Sequence, residues 1–384
     1  MKKGNLLRGN LASLLALVLA AAVFAGLYVY AHADDAAPGD KGTSYAEYER
    51  GVVTQILADN CEADPVADGG YRGDQTLLVE IRSGQYKGQT LMTSNNVGPL
   101  YGEPAKVGDP VTLIISTYSN GDHRATVYEY DRSWAIYGIL ALFFLVTVLV
   151  GGKTGAKSIL GLVLTVALLL TVLIPLLLKG WPTLPTVFGL CSFVAVVCFV
   201  VLGGANKKTL CASLATIAGM ALAMGFGLLG QVFAHINGLR MTDVEPLLQL
   251  RQTGTPIGLK GLLVAGIIVS SLGAVMDVAM SLSSSLAELK SVNPSLGVKE
   301  LWRSGMNIGR DMVGTMTNTL ILAFLGSGFT LIIYLYSLDL PTAELMSSSY
   351  MGLEVVSGIS SAMGVVLSVP VTCLLGALLY GRRK

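Results

Sequence analysis

The sequence predicts a polytopic α-helical membrane protein of about eight spans, with a small extracytoplasmic β-barrel-like domain near its N-terminus. Three observations carry this. Hydrophobic residues fill 52% of the 384 positions and charged residues only 13%, about half of the ~25% usual in soluble chains. Mean hydropathy is +0.63. The apolar residues gather into segments near the ~20 residues that span a bilayer, and one long polar block separates the first segment from the rest. The net charge of +1, with basic residues scattered over short loops, gives no nucleic-acid surface. Cys61, Cys191, Cys198, Cys211 and Cys373 form no CxxC pair, and only Cys61 lies outside the apolar segments. Neither a disulfide framework, a metal site nor a cofactor is expected.

Lys2, Lys3 and Arg8 precede an apolar run over about residues 11–30. It exceeds the core of a signal peptide, about 7–15 residues, so residues 1–33 read as a membrane anchor. Ala31-His32-Ala33 also fits a cleavage pattern, leaving a signal peptide as the alternative. Either way, residues 34–131 fall outside. They hold strand-like runs near 48–57, 76–82, 89–94, 111–117 and 125–130, divided by turn signals such as Asp68-Gly-Gly70, Ser83-Gly84, Val107-Gly-Asp-Pro110 and Ser119-Asn-Gly-Asp122. Five short strands in one block read as an OB-like barrel. Tyr71, Tyr86, Tyr101 and Tyr118 read first as strand-packing and edge residues, with a ligand surface as the alternative. Asp59, Glu62, Asp64, Asp68 and Asp74 fit no EF-hand spacing and read as a solvated acidic loop.

From Trp134 the spans follow at about 134–150, 158–178, 184–203, 209–233, 261–287, 311–337 and 352–380, making residues 132–384 a seven-span domain. An inside N-terminus places Lys153/Lys157, Lys207/Lys208, Lys290/Lys299/Arg303/Arg310 and Arg382/Arg383/Lys384 on the cytoplasmic side. That asymmetry sets the orientation: both termini inside, residues 34–131 outside. Asn293-Pro294 reads as a helix start, opening an amphipathic helix near 294–309 on the inner membrane surface. In the outer loop 235–260, Thr242-x-x-Glu245 reads as a capping box for a short helix, and the loop is long enough to cover the outer mouth of a pathway. Gly151-Gly-Lys-Thr154 resembles a phosphate loop only superficially: Thr147 stands where the first glycine is required, so this is an inner turn.

The chemistry-bearing residues lie inside the spans. Asp277 falls near the middle of its span, where a carboxylate costs about 2.5–3.5 kcal/mol. Ser281, Ser284 and Glu288 share its helical face. A second polar face holds Asn307, Arg310, Asp311, Gly314/Thr315 and Asn318, with Asp311 near the expected helix start. A third, in the last span, holds Ser357, Ser361, Gly364, Ser368 and Thr372, close to Pro370. Small residues of this kind either let helices pack closely or, beside a proline, bare a carbonyl to an ion. Together these residues read as a polar path centred on Asp277, with Asn318 and Ser281 as partners and Asp311 and Glu288 at an inner mouth. The structural alternative is that they lock helices together. Without HExxH, GxSxG or a soluble ATPase domain, no enzyme is expected.

Three segments, Gly203-Gly-Ala-Asn-Lys-Lys-Thr-Leu210, Leu272-Gly-Ala-Val-Met-Asp-Val-Ala-Met-Ser281 and Gly309-Arg-Asp-Met-Val-Gly-Thr-Met-Thr-Asn-Thr-Leu-Ile-Leu-Ala323, resemble the YibE/F-like family of bacterial multi-spanning membrane proteins. The resemblance covers about residues 130–380. It implies a bacterial cytoplasmic-membrane protein and supplies no catalytic residues. The leading expectation is a secondary permease or channel-like protein for an ion or small solute. The alternative is a non-transporting envelope scaffold whose outer domain binds a partner or glycan.

Overall fold

The computed structural model describes residues 18, 21–32, 46–117, 123–241 and 244–381. The chain divides into two units, residues 36–149 and residues 1–35 with 150–384.

The first unit is a closed barrel of five strands: β1 (Ala46–Asp59), β3 (Tyr71–Ile81), β4 (Thr90–Val97), β5 (Pro110–Thr117) and β6 (His123–Tyr130), with a two-residue strand β2 (Glu62–Ala63) added beside β3. The pairings run β1–β3–β4–β6–β5 and back to β1; all are antiparallel except β4 with β6. Period-two alternation builds the interior. Leu77, Val79 and Ile81 of β3 and Val111, Leu113 and Ile115 of β5 point into one core, with Val53 and Ala125. A buried polar cluster centres on Gln75: its Oε1 accepts from Asn95 Nδ2 at 3.0 Å and from the Ala105 N–H at 2.8 Å, while its Nε2 donates to Asp59 Oδ2 at 3.0 Å. This ties the segment before β5 to the barrel wall.

The structure refines two readings of this unit. Tyr86 is buried in the core and forms no ligand surface; Tyr71 and Tyr101 are exposed, and Tyr118 and the turn 119–122 lie outside the described residues. Two of the acidic residues hold turns rather than standing free. Asp64 Oδ1 accepts from the Val66 and Ala67 N–H groups at 2.8 and 3.1 Å, and Asp59 Oδ1 accepts from Cys61 N–H at 3.1 Å. Burial, then the neighbouring Asp59 carboxylate, pushes the Cys61 thiol up to about 11. At pH 8.5 it should therefore stay a thiol, and maleimide should label it more than tenfold more slowly than a free cysteine peptide.

Strand β6 ends at Tyr130, and helix α2 (Ser133–Leu168) begins three residues later. Asp131 Oδ1 accepts from the Ser133 N–H at 3.0 Å, and its Oδ2 lies 3.6 Å from Arg50 Nε on β1. The Ser133 hydroxyl and N–H hold the Asp131 carboxyl below the usual carboxylate range. The first unit takes in residues 133–149, the start of α2, along with the barrel.

In the second unit, α2 runs on through a π-helical turn (Leu169–Leu173) into α3 (Ile174–Leu178). Pro175 has no N–H to continue the ladder, and the turn before it slips so that Ile174 N–H bonds Leu169 O. The inner turn expected at 151–158 is helical except at Gly152, whose φ of 54° and ψ of −136° break the helix there; a glycine takes that conformation without a Cβ penalty. Helices α4 (Thr183–Gly203), α5 (Lys207–Phe233), α7 (Leu262–Val292) and α11 (Ser349–Gly381) follow the expected spans. Asn206 caps α5, its Oδ1 accepting from Thr209 N–H at 3.0 Å. Short α6 (Glu245–Gln252) lies in the loop before α7, but starts at Glu245 with Val244 before it; Thr242 is outside the described residues. Helix α1 (Ala21–His32) packs Phe24, Leu27 and Ala31 onto the cluster formed by α3, α4 and neighbours.

The largest difference concerns residues 288–337. Asn293-Pro294 does not start a helix. Asn293 Oδ1 accepts from Ser295 N–H at 3.1 Å in a turn, and α8 (Val298–Ser327) starts after Gly297, whose N–H donates to Glu300 Oε2 at 2.8 Å. The amphipathic segment and the expected span at 311–337 are thus one helix up to Ser327. It breaks at Gly328 and continues as α9 (Phe329–Ser337) at 62°. Asp311 consequently sits mid-helix, and no helix-end dipole accounts for it. A short α10 (Thr342–Ser347) leads into α11.

Among the described residues, five helical stretches are long and apolar enough to cross a membrane, or six if α8 and α9 form one span.

Candidate functional site

Helices α5, α7 and α11 form the centre of the second unit, and small residues bring them together. A Cβ on Gly364 would lie 2.6 Å from Ala223 Cβ and 3.2 Å from Gly219 O; one on Gly219 would lie 2.6 Å from Val275 Cγ1. Ser361 and Ser368 are fully buried in this contact. Ser361 Oγ is 2.9 Å from Ser270 Oγ, and Ser368 and Thr372 donate to their own helix at Val365 O and Ser368 O. The third polar face is thus largely a packing seam; Ser361 meets the stripe of Asp277 only through Ser270, two turns from Asp277, and Ser368 bonds within its own helix.

Helix α8 docks on α7 and α11 through Gly305 and Gly309, a small-xxx-small spacing whose significance was not read from the sequence. Their Cβ positions fall 2.9 Å from Leu286 Cδ2 and 2.3 Å from Val369 Cγ1, respectively. The contacts of Gly305 with Leu286 and of Gly309 with Leu282 run antiparallel. Extended five residues beyond the Gly309–Leu282 contact, this register puts Asp277 level with about Gly314, one turn from Asn318.

With those faces occupied, α7 turns Gly266, Ser270, Gly273, Asp277, Ser281 and Glu288 outward, with Ser284 half-buried on the same stripe. Helix α8 does the same with Asn307, Arg310, Asp311, Gly314, Thr315 and Asn318. The outward residues of the other spans are mostly apolar, among them Leu160 and Val163 on α2, Leu170 in the π-helical turn, Leu214 and Leu229 on α5, and Ile359 and Leu374 on α11; an exception is the group Lys153, Thr154, Lys157 and Ser158 beside the break at Gly152. Among the described residues no side-chain hydrogen bond or ion pair is made by Asp277, Glu288, Arg310, Asp311 or Asn318. Asp277 and Asn318 lie about one turn apart along the helices and make no hydrogen bond to each other. Asp277 stands on an outward polar surface of α7.

A further acid escaped the sequence reading. Glu354, in the second turn of α11, lies against the break at Gly328: a Cβ there would be 3.5 Å from Glu354 Oε2. Glu354 is half-buried, has no side-chain partner among the described residues, and lines two clefts, of about 410 and 300 Å³. Nothing near Glu354 in sequence marks it; only the bend between α8 and α9 makes the site.

The profile of a family described as YibE/F-like protein matches residues 139–382. No curated protein and no solved structure matches the chain. The profile spans the helices that carry Asp277, Arg310, Asn318 and Glu354 and more than half of the sequence, and the chain belongs to the YibE/F-like family.

Proposed function

We propose that the protein is a secondary permease or channel-like protein of a bacterial cell membrane, passing an ion or small solute along the polar faces of α7 and α8. One observation carries this: the mid-span acid and amide groups of α7 and α8 face outward and have no side-chain partner among the described residues, while the outward residues of the other spans are mostly apolar. Lipid is a costly neighbour for such a face, so it borders water or another protein surface. Asp277, Ser281 and Ser284 then form one wall, Thr315 and Asn318 the other, with Glu288, Arg310 and Asp311 at the mouth. The role is non-enzymatic.

The reading takes eight spans. Ser133–Leu178 is 46 residues, about 69 Å of helix at 1.5 Å per residue, enough for two crossings of a ~30 Å core. Gly152 divides it. With the basic residues arranged as described, the barrel lies outside and both termini inside. Cysteines placed singly at Ser270, Gly273, Asp277, Ser281 and Thr315 test the central claim in intact membranes. A water-lined wall predicts labelling of at least three by a membrane-impermeant methanethiosulfonate. Labelling confined to Ser281 and Thr315, with none at the other three, would mean the stripe meets lipid or protein and no aqueous path runs along it.

A second reading has support in the barrel. Tyr48 and Tyr128 are exposed and stack edge-on with ring centroids 5.4 Å apart, on the outer surface across β5. Such a pair suits a glycan or partner surface. In an envelope scaffold, deleting residues 36–130 abolishes function, whereas a permease core retains flux.

A further inference from the structure

We propose that the clefts at Glu354 form a binding site for an amphiphilic organic cation, separate from the α7/α8 polar faces and independent of whether those faces conduct. The smaller cleft, about 300 Å³, lies between α8, α9 and α11, and Glu354 is its sole lining residue with a polar side chain; Phe324, Leu325, Leu335, Met351 and Ile359 are among the rest. The larger, about 410 Å³, adds Met241, Val244 and Leu247 from the loop before α7, and its polar groups besides Glu354 are Tyr350 and Ser357. Both volumes suit a small organic molecule. Mostly apolar walls around one carboxylate select a single positive charge on an apolar body. An inorganic divalent cation needs about six oxygens in its shell, and this site offers one carboxylate and two hydroxyls. An anion meets only like charge.

The site's position follows from the bend. A straight continuation of α8 past Ser327 would leave no corner; the 62° turn at Gly328 opens one, and the carboxylate fills the space a side chain at 328 would crowd. Ile321 and Leu325 continue the helical face of Gly314 and Asn318. The cleft therefore opens where the polar face of α8 ends, and the loop carrying α6 roofs its far side.

The test uses the full chain in zwitterionic nanodiscs and radiolabelled tetraphenylphosphonium, a monovalent cation with four phenyl groups, with empty nanodiscs as baseline. Saturable binding is expected for the wild type. Glu354→Gln should weaken it at least tenfold without changing the thermal midpoint, and Asp277→Asn should leave it within twofold. Leu331→Trp, at a position that lines both clefts, should also abolish it, and covers the case in which Glu354→Gln is poorly folded. Uncharged triphenylphosphine oxide should not compete. No saturable binding above baseline, binding by Glu354→Gln or Leu331→Trp within twofold of wild type, or equal competition by the neutral compound would each overturn the assignment.

Discussion

Asp277→Asn is expected to cut flux in proteoliposomes at least tenfold while leaving thermal stability close to that of the wild type. The argument rests on where the carboxylate stands. It has no hydrogen-bond or ion-pair partner among the described residues, so removing its charge breaks no native contact, and an exposed substitution of that kind usually changes stability by less than about 0.5 kcal/mol. A leucine at 277 separates the readings further. If the stripe meets acyl chains, Asp277→Leu removes a group that costs about 2.5–3.5 kcal/mol and stability rises. If it meets water or a protein surface, Asp277→Leu brings no such gain and flux still falls. A stabilised Asp277→Leu with no loss of flux would end the transport reading of this face.

Gly364→Val should be strongly destabilising, at about 3 kcal/mol or more, the upper end of what overpacking costs. The Cβ alone comes within 2.6 Å of Ala223 Cβ and 3.2 Å of a backbone oxygen, that of Gly219. Neither neighbour has a side chain that can swing away, so α5 and α11 must separate. Gly352→Ala in the same helix is the control: its nearest neighbour would be Ile236 Cγ2 at 3.7 Å, an ordinary contact. Thermal unfolding of the two variants in detergent checks this. Equal midpoints would mean that the α5–α11 approach is looser than described.

These cases show what was legible in the sequence and what was not. The barrel was legible because each strand carries its own evidence: Leu77, Val79 and Ile81 alternate, and Ser83-Gly84 ends the run. The small residues Ser357, Ser361, Gly364 and Ser368 were legible as a close-packing face, though not the helices they meet. The start of α8 was misplaced because Asn293-Pro294 imitates an N-terminus; Glu300, three residues after Gly297, was the better signal. The bend at Gly328 had only glycines to announce it, among the 45 in the chain. Without the bend, Glu354 is merely an acid near a helix end. The outward direction of Asp277 was not legible either: periodicity shows which residues share a face, and only the docking of α8 through Gly305 and Gly309 shows which face is left over.

The joint between β6 and α2 has a mechanical consequence. Two residues separate strand from helix, and Asp131 is bonded forward to Ser133 and sits beside Arg50 on the opposite wall of the barrel. There is no slack in such a connection. A torque applied to the barrel by anything that grips its surface is delivered to residues 133–149 as rotation of a rod, rather than absorbed by a tether.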